Sequence, residues 1–189
     1  MAMLSRKAIE MLGFASLGEN VQISDRASFY GAERISLGSN TRIDDFCVLS
    51  AGSGGICIGQ HVHIAVYSSL IGAGKITLSD FCNISSRVSI YTSSDDHSGA
   101  TMTNPTVPSA FTGVKHADVF LGKHVLVFGG SVILPGVTLA DGVVIGALSL
   151  IKRDCLAFGI YAGSPARRIK ERKRNLLDLE QQFMASKVR

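Results

Sequence analysis

The tripeptide Asp95-Asp96-His97 sets two carboxylates beside one imidazole at the start of DDHSGATMTNPTVPSAFTGVKHAD, residues 95–118. An imidazole titrates near neutrality, so His97 is suited to take a proton from an attacking hydroxyl or ammonium, while Asp95 or Asp96 could orient the ring and stabilise its charged form. Taken alone, the same residues also read as a solvated histidine beside two solvated aspartates. A second imidazole, His116, stands at the far end of the stretch, where it could reach an acceptor or His97. The segment is rich in Gly, Pro, Ser, Thr and Asn, which makes it a long protruding loop. Loops of this length in compact domains usually carry function or are disordered.

What must hold such a loop is a repeat of period six. Leu17, Ile23 and Phe29, then Leu37, Ile43 and Leu49, then Ile58, Ile64 and Leu70, then Leu78, Ile84 and Ile90 return a bulky apolar residue at every sixth position, in sets of three. After the loop the series resumes with Leu121, Val127, Ile133, Leu139, Ile145 and Ile151. Four residues beyond most of these sits a small one, such as Thr41, Cys47, Ser68, Cys82, Ser131, Val143 or Ser149. Neither the 3.6-residue period of a helix nor the alternation of a half-buried strand produces this pattern. A triangular prism does, with short strands as flat faces, the large residue filling the interior and the small one turned inward near each corner. The early coils begin 20, 21 and 20 residues apart instead of 18, so extra residues near Ile35, 55–57 and Ile76 are expected to bulge at one recurring corner. Cys47, Cys82 and Cys155 fall in the small inward slot and Cys57 in an insertion, which predicts reduced packing thiols.

Composition narrows the class. The chain has 189 residues, 46% hydrophobic and 18% charged, with 20 Gly and no Trp, as suits one compact or elongated domain. No apolar run approaches the roughly 18 residues of a membrane span, and the first twenty residues lack a secretory pattern, so cytoplasm is the expected compartment. Residues 165–189 hold eight Lys or Arg against three acidic residues, while the rest of the chain is close to neutral. The body lacks the basic face with interleaved aromatics of a nucleic-acid binder, so no nucleic acid is expected; the basic tail suits a small polyanion or a solvated helix.

The tandem hexapeptides, the run LPGVTLADGVVIGALSLIKRD at 134–154 and the closing AGSPARRIK at 162–170 resemble the hexapeptide acyltransferases, and more narrowly the galactoside/maltose and O-antigen acetyltransferases. The resemblance spans about residues 17–170. It implies an all-β, left-handed parallel β-helix over 17–168 with its extended loop, an N-terminal segment at 1–16, and a short C-terminal α-helix and tail at 169–189. It also implies a homotrimer with active sites between neighbouring prisms and acetyl-CoA as the acyl donor. His97, following Ile90-Tyr91-Thr92, matches the placement of the catalytic histidine. Gly129 and Ala147 occupy positions whose backbone meets the pantetheine arm, and Lys152, Arg153, Arg167 and Lys170 match those approaching the adenosine phosphates. Tyr67 falls nearest the acceptor-side asparagine of galactoside-type members, with His116 as a further acceptor contact. Leu126 replaces the family's usual Trp.

The reaction so implied is acetyl transfer to a sugar hydroxyl in surface polysaccharide biosynthesis. N-acetylation of a nucleotide-linked amino sugar is the alternative with the same chemistry, and a non-catalytic β-helix scaffold is the alternative from another class. His61, His63 and His124 take outward hexapeptide places, exposed or facing a neighbour. They lack the histidine spacing of the trimeric γ-class carbonic anhydrases, so no metal is expected.

Overall fold

A computed structural model of the chain describes residues 2–187. Three parallel sheets form the sides of a prism. Face one stacks Ser16–Leu17, Ile35–Leu37, Ile56–Ile58, Ile76–Leu78, Val119–Leu121 and Thr138–Leu139. Face two stacks Gln22–Ile23, Arg42–Ile43, His63–Ile64, Asn83–Ile84, Leu126–Val127 and Val144–Ile145, and then Gly159–Gly163. Face three stacks Ser28–Tyr30, Val48–Ala51, Ser69–Gly72, Ser89–Tyr91, Val132–Ile133 and Leu150–Ile151. The expected parallel β-helix is therefore the fold.

The period-six residues line the interior. All but Leu17 and Phe29 are buried, and those two lie at the open N-terminal end. Each fully buried Ile or Leu contributes about 1.5–3 kcal/mol relative to exposure. The N-terminal end is closed by α1 (Arg6–Met11), which Ser5 caps by accepting from the Ala8 amide, and which lowers Ile9 onto the first coil beside the edge-on pair Phe14 and Phe29.

The extra residues do share one corner, between faces three and one. They are the turns 31–34, 52–55 and 73–75, not the residues just after them. Ile35, Ile56 and Ile76 are inward strand residues in register with one another and with Val119. A wider turn leaves no inward slot at this corner, so Ser53 and Ser94 are exposed, unlike their counterparts at the other corners. The loop is the same insertion enlarged: it leaves after Tyr91 and returns at Val119, and Ser93–Ser94 and Lys115–His116 pair antiparallel across its root.

The C-terminus departs from the helical reading of residue 169 onward. Gly159–Gly163 leaves an edge of unpaired backbone groups, and the chain reverses to pair Ala166–Glu171 antiparallel against it. Ile169 is thus an exposed strand residue. The helix, α2, runs Leu176–Ser186 and lies over the corner between faces one and two. Among the described residues no helix is long and apolar enough to cross a membrane.

Candidate active site

The loop root builds a cleft of about 840 Å³ between face three and the arc 104–114. Ile71, Gly72 and Ser93 form its floor, and Asp95 and His116 bring their polar groups into it. His116 Nδ1 and Ser93 Oγ are hydrogen-bonded at 2.8 Å, which fixes the ring where the two short strands of the loop root pair. Asp95 has no side-chain partner among the described residues, so its carboxylate is available to a ligand.

Its neighbour Asp96 is already occupied. One carboxylate oxygen accepts from the amide and hydroxyl of Ser98 and the other from the amide and hydroxyl of Thr101, at 2.7 to 3.3 Å. The Ser98 amide and hydroxyl, with the Thr101 amide, hold this carboxyl far below the usual carboxylate range. Asp96 therefore shapes the loop. His97 is exposed beyond it and does not line the cleft.

From His116 the groove continues along the same corner toward the C-terminal coils. A smaller cleft of about 330 Å³ joins His116 to Leu134, Pro135 and Lys152. Lys152 also lines a third cleft, of about 180 Å³, with Arg153 and Arg167. Three of the four cations expected to meet phosphates thus converge. Lys170 stands apart on the outer strand, beside Arg168, which pairs with Glu171. Arg172 points inward, donating to the carbonyls of His124 (2.7 Å) and Gly142 (3.1 Å); burial lowers its pKa.

The other expected contacts lie on a different edge, the corner between faces two and three. Gly129 and Ala147 stack there one coil apart, joined by the Leu148 amide donating to the Gly129 carbonyl at 3.0 Å. A Cβ on Gly129 would stand 3.0 Å from the Ser86 carbonyl, so the small residue keeps this edge flat. Tyr67 lies on the same edge, two coils nearer the N-terminus.

The remaining histidines serve structure. His61 and His124 are not exposed but sandwich Phe81, at 5.2 and 4.9 Å between centroids, beneath α2. His63 donates to Asp44 at 2.9 Å; burial alone would raise the Asp44 pKa, but hydrogen bonds from Arg42 and His63 outweigh it and lower it. Among the described residues no three His, Cys, Asp or Glu side chains converge as metal ligands. Cys47, Cys82 and Cys155 are buried free thiols, pushed by burial to about 11, 12 and 11, and Cys57 is exposed.

Stacked hexapeptide coils, a loop that carries a carboxylate and an imidazole, and a cationic groove along one edge define a hexapeptide-repeat acyltransferase. No family model matches the chain. It is 55% identical over 188 residues to the dTDP-4-amino-4,6-dideoxy-D-glucose acyltransferase of Escherichia coli, covering 100% of this chain and 98% of that one. AntD, an N-acyltransferase from Bacillus cereus solved in complex with dTDP-4-amino-4,6-dideoxyglucose and coenzyme A, superposes with a TM-score of 0.93 at 42% identity, over 98% of each chain. A maltose O-acetyltransferase from Clostridium difficile 630 shares the fold at 22% identity and a TM-score of 0.61, over 89% of this chain and 75% of its own. The chain belongs to the acyl-CoA-dependent hexapeptide-repeat acyltransferases.

The solved AntD forms include variants in which a serine, or an aspartate ten positions further on, is replaced. This chain offers three pairs with that spacing, Ser85 with Asp95, Ser86 with Asp96 and Ser131 with Asp141. Since Asp96 is held by Ser98 and Thr101 and Asp141 accepts from the Lys123 amide at 2.8 Å, the pair whose carboxylate has no such partner among the described residues is Ser85 and Asp95. Ser85 sits at an ordinary hexapeptide corner, and nothing in the sequence alone sets it apart from the other corner serines.

Proposed function

We propose that the protein transfers an acyl group from acyl-CoA to the amino group of a dTDP-linked 4-amino-4,6-dideoxyhexose. The observation that carries this reading is the 55% identity, along the whole chain, to an acyltransferase of that substrate. Nitrogen is thereby favoured over the sugar hydroxyl expected first, and the two reactions need the same groove.

The acceptor enters as an ammonium and must lose one proton before it can attack. Asp95 attracts the ammonium and His116, held by Ser93, takes the proton, while Ser85, on the corner between faces two and three, would reach the acceptor from a neighbouring prism. The amine nitrogen attacks the thioester carbonyl carbon, the C–S bond breaks, and CoA leaves as a thiolate that picks up the second amine proton. Holding both substrates in one ternary complex supplies much of the acceleration. Lys152, Arg153 and Arg167 take the phosphates of CoA, and Lys170 joins them only if the outer strand bends inward. In the homotrimer that completes this reading, Gly129 and Ala147 of a neighbouring prism would line the pantetheine arm.

A free-thiol assay with acetyl-CoA tests the acceptor: turnover with dTDP-4-amino-4,6-dideoxyglucose and none with maltose or galactosides is expected, and the reverse preference would reject the reading. Asp95→Asn is expected to lower kcat by about 10²–10³. His97 remains the alternative base, so His97→Ala and His116→Ala are compared directly. A loss of 10²-fold or more in His97→Ala, with His116→Ala near wild type, would exchange their roles.

A further inference from the structure

Ser93 holds the imidazole of His116, but that contact does not account for the whole of its hydroxyl. Its Oγ accepts from the Ala73 amide at 2.8 Å and lies 2.8 Å from His116 Nδ1. A serine oxygen has two lone pairs and one proton, so the bond to the ring can run in either sense. For His116 to take a proton at Nε2, which has no partner among the described residues, Nδ1 must carry the ring's hydrogen and donate it to Ser93. Both lone pairs of Oγ are then filled, by the N–H groups of Ala73 and His116, and the hydroxyl proton must point in the remaining direction. It meets no other acceptor among the described residues, and Ser93 forms part of the floor of the cleft that Asp95 and His116 share. Once His116 is charged, both ring nitrogens carry protons and this sense is the only one left.

We infer that Ser93 is a catalytic residue that donates a hydrogen bond to the thioester oxygen as negative charge collects there. The inference rests on the acyl transfer and the base proposed above. One event prepares both partners of this bond. The amine proton moves to His116, the amine nitrogen attacks the carbonyl carbon, and the carbonyl oxygen becomes negative beside a hydroxyl that can no longer donate to the ring. A donor of this kind helps only when it is fixed in advance. Ser93 is fixed by its antiparallel pairing with His116, and its neighbour Thr92 is buried and donates to the Gly74 carbonyl at 3.0 Å. Beside it the floor is bare backbone, since a Cβ on Gly72 would collide with Thr92 Oγ1. The other hydroxyls of the cleft are spent or unfixed. Thr106 donates to Asn104 Oδ1 at 2.9 Å and Thr112 to the Ser109 carbonyl at 3.4 Å, while Ser109 is exposed and its hydroxyl has no partner among the described residues.

Infrared difference spectroscopy of the full-length protein with acetyl-CoA, carbon-13-labelled at the thioester carbonyl, reads this bond and needs no acceptor. The carbonyl stretch is expected at lower frequency in the wild-type complex than in free acetyl-CoA, and at the free position in Ser93→Ala. The same variant should lower kcat by about 10²–10³ while KM for acetyl-CoA stays within about threefold. Ser93→Thr keeps the hydroxyl and is expected to retain both the shift and most of kcat. A stretch that is the same in wild type and Ser93→Ala overturns the assignment even if kcat falls, because the residue then only positions His116. Loss of the shift in Ser109→Ala, with Ser93→Ala like wild type, passes the role to that hydroxyl and also overturns it. If His116→Ala keeps both shift and turnover, the proposed base is rejected and Ser93 stands as the donor. If wild type shows the shift but leaves the dTDP-linked amino sugar unacylated, the acceptor alone is rejected.

Discussion

Two columns of stacked side chains run up neighbouring corners of the same prism, one on each side of face two. His61, Phe81 and His124 form the first, Phe46 and Tyr67 the second. Both arise in the same way: each coil places one residue in left-handed backbone at the corner, and the amide of that residue donates to a carbonyl of the preceding coil. They differ in what lies over them. The first is roofed by α2, with Phe183 edge-on to His61 and Phe81, Glu180 accepting from His124 at 2.7 Å, and Lys187 donating to His61 at 2.6 Å. The second carries two arginines and, among the described residues, no roof. One repeat can thus make a docking strip for the chain's own helix or an open strip for a ligand, depending on whether other segments come back to cover it.

The largest effect is expected from removing what both columns share. Ile84 is fully buried in face two between the two corners, so Ile84→Ala should cost about 2–5 kcal/mol and lower both thermal stability and turnover. If only one of these falls, the columns do not depend on a common interior. Phe183→Ala uncovers the first column alone: about 1–2 kcal/mol lower stability by denaturant titration, with dTDP affinity unchanged, is the expected result. A change in dTDP binding would mean that the corners are coupled.

Glu180→Gln should cost about 0.5–1 kcal/mol near neutral pH. The hydrogen bond from His124 lowers the Glu180 pKa, so its contribution is present above the ordinary value of 4.5 and is lost as pH falls through the folded value. Thermal melts of wild type and Glu180→Gln should therefore converge at acid pH, and parallel curves would show that the pair contributes nothing. A smaller pH effect belongs to His61. Burial, and then the Lys187 charge, lower its pKa from 6.5, so the unfolded chain binds a proton that the folded site resists. Stability should accordingly decline as pH drops below about 6.5, and Lys187→Met should flatten that decline.

The interior was legible in the sequence because each coil repeats one steric rule. A large residue every sixth position and a small one four places on leave a single way to turn the chain, and Glu33 and Gly74, which stand four places beyond Phe29 and Leu70 and depart from the rule, fall at the corner where the turns are wider. The loop was legible as a break in that rule. Which of its groups face the cleft was not, because Asp95 and Asp96 are chemically identical in sequence and only the hydrogen bonds of Ser98 and Thr101 separate them. The same holds for His97 and His116, distinguished by the strand pairing that binds His116 to Ser93.

By itself, then, the sequence determined the three-sided coil, the inward residues, the place of the loop and the cationic C-terminal stretch, since each follows from local periodicity or local composition. Only the tertiary structure decided that residues 166–171 pair as a strand, that α2 covers the histidine column, and that the Tyr67 column stays open. The strand at 166–171 follows from the open edge that Gly159–Gly163 leaves, which exists only once the coils are stacked, and the other two outcomes depend on contacts as distant as Lys187 with His61; no local pattern encodes which of two similar edges a returning segment will cover.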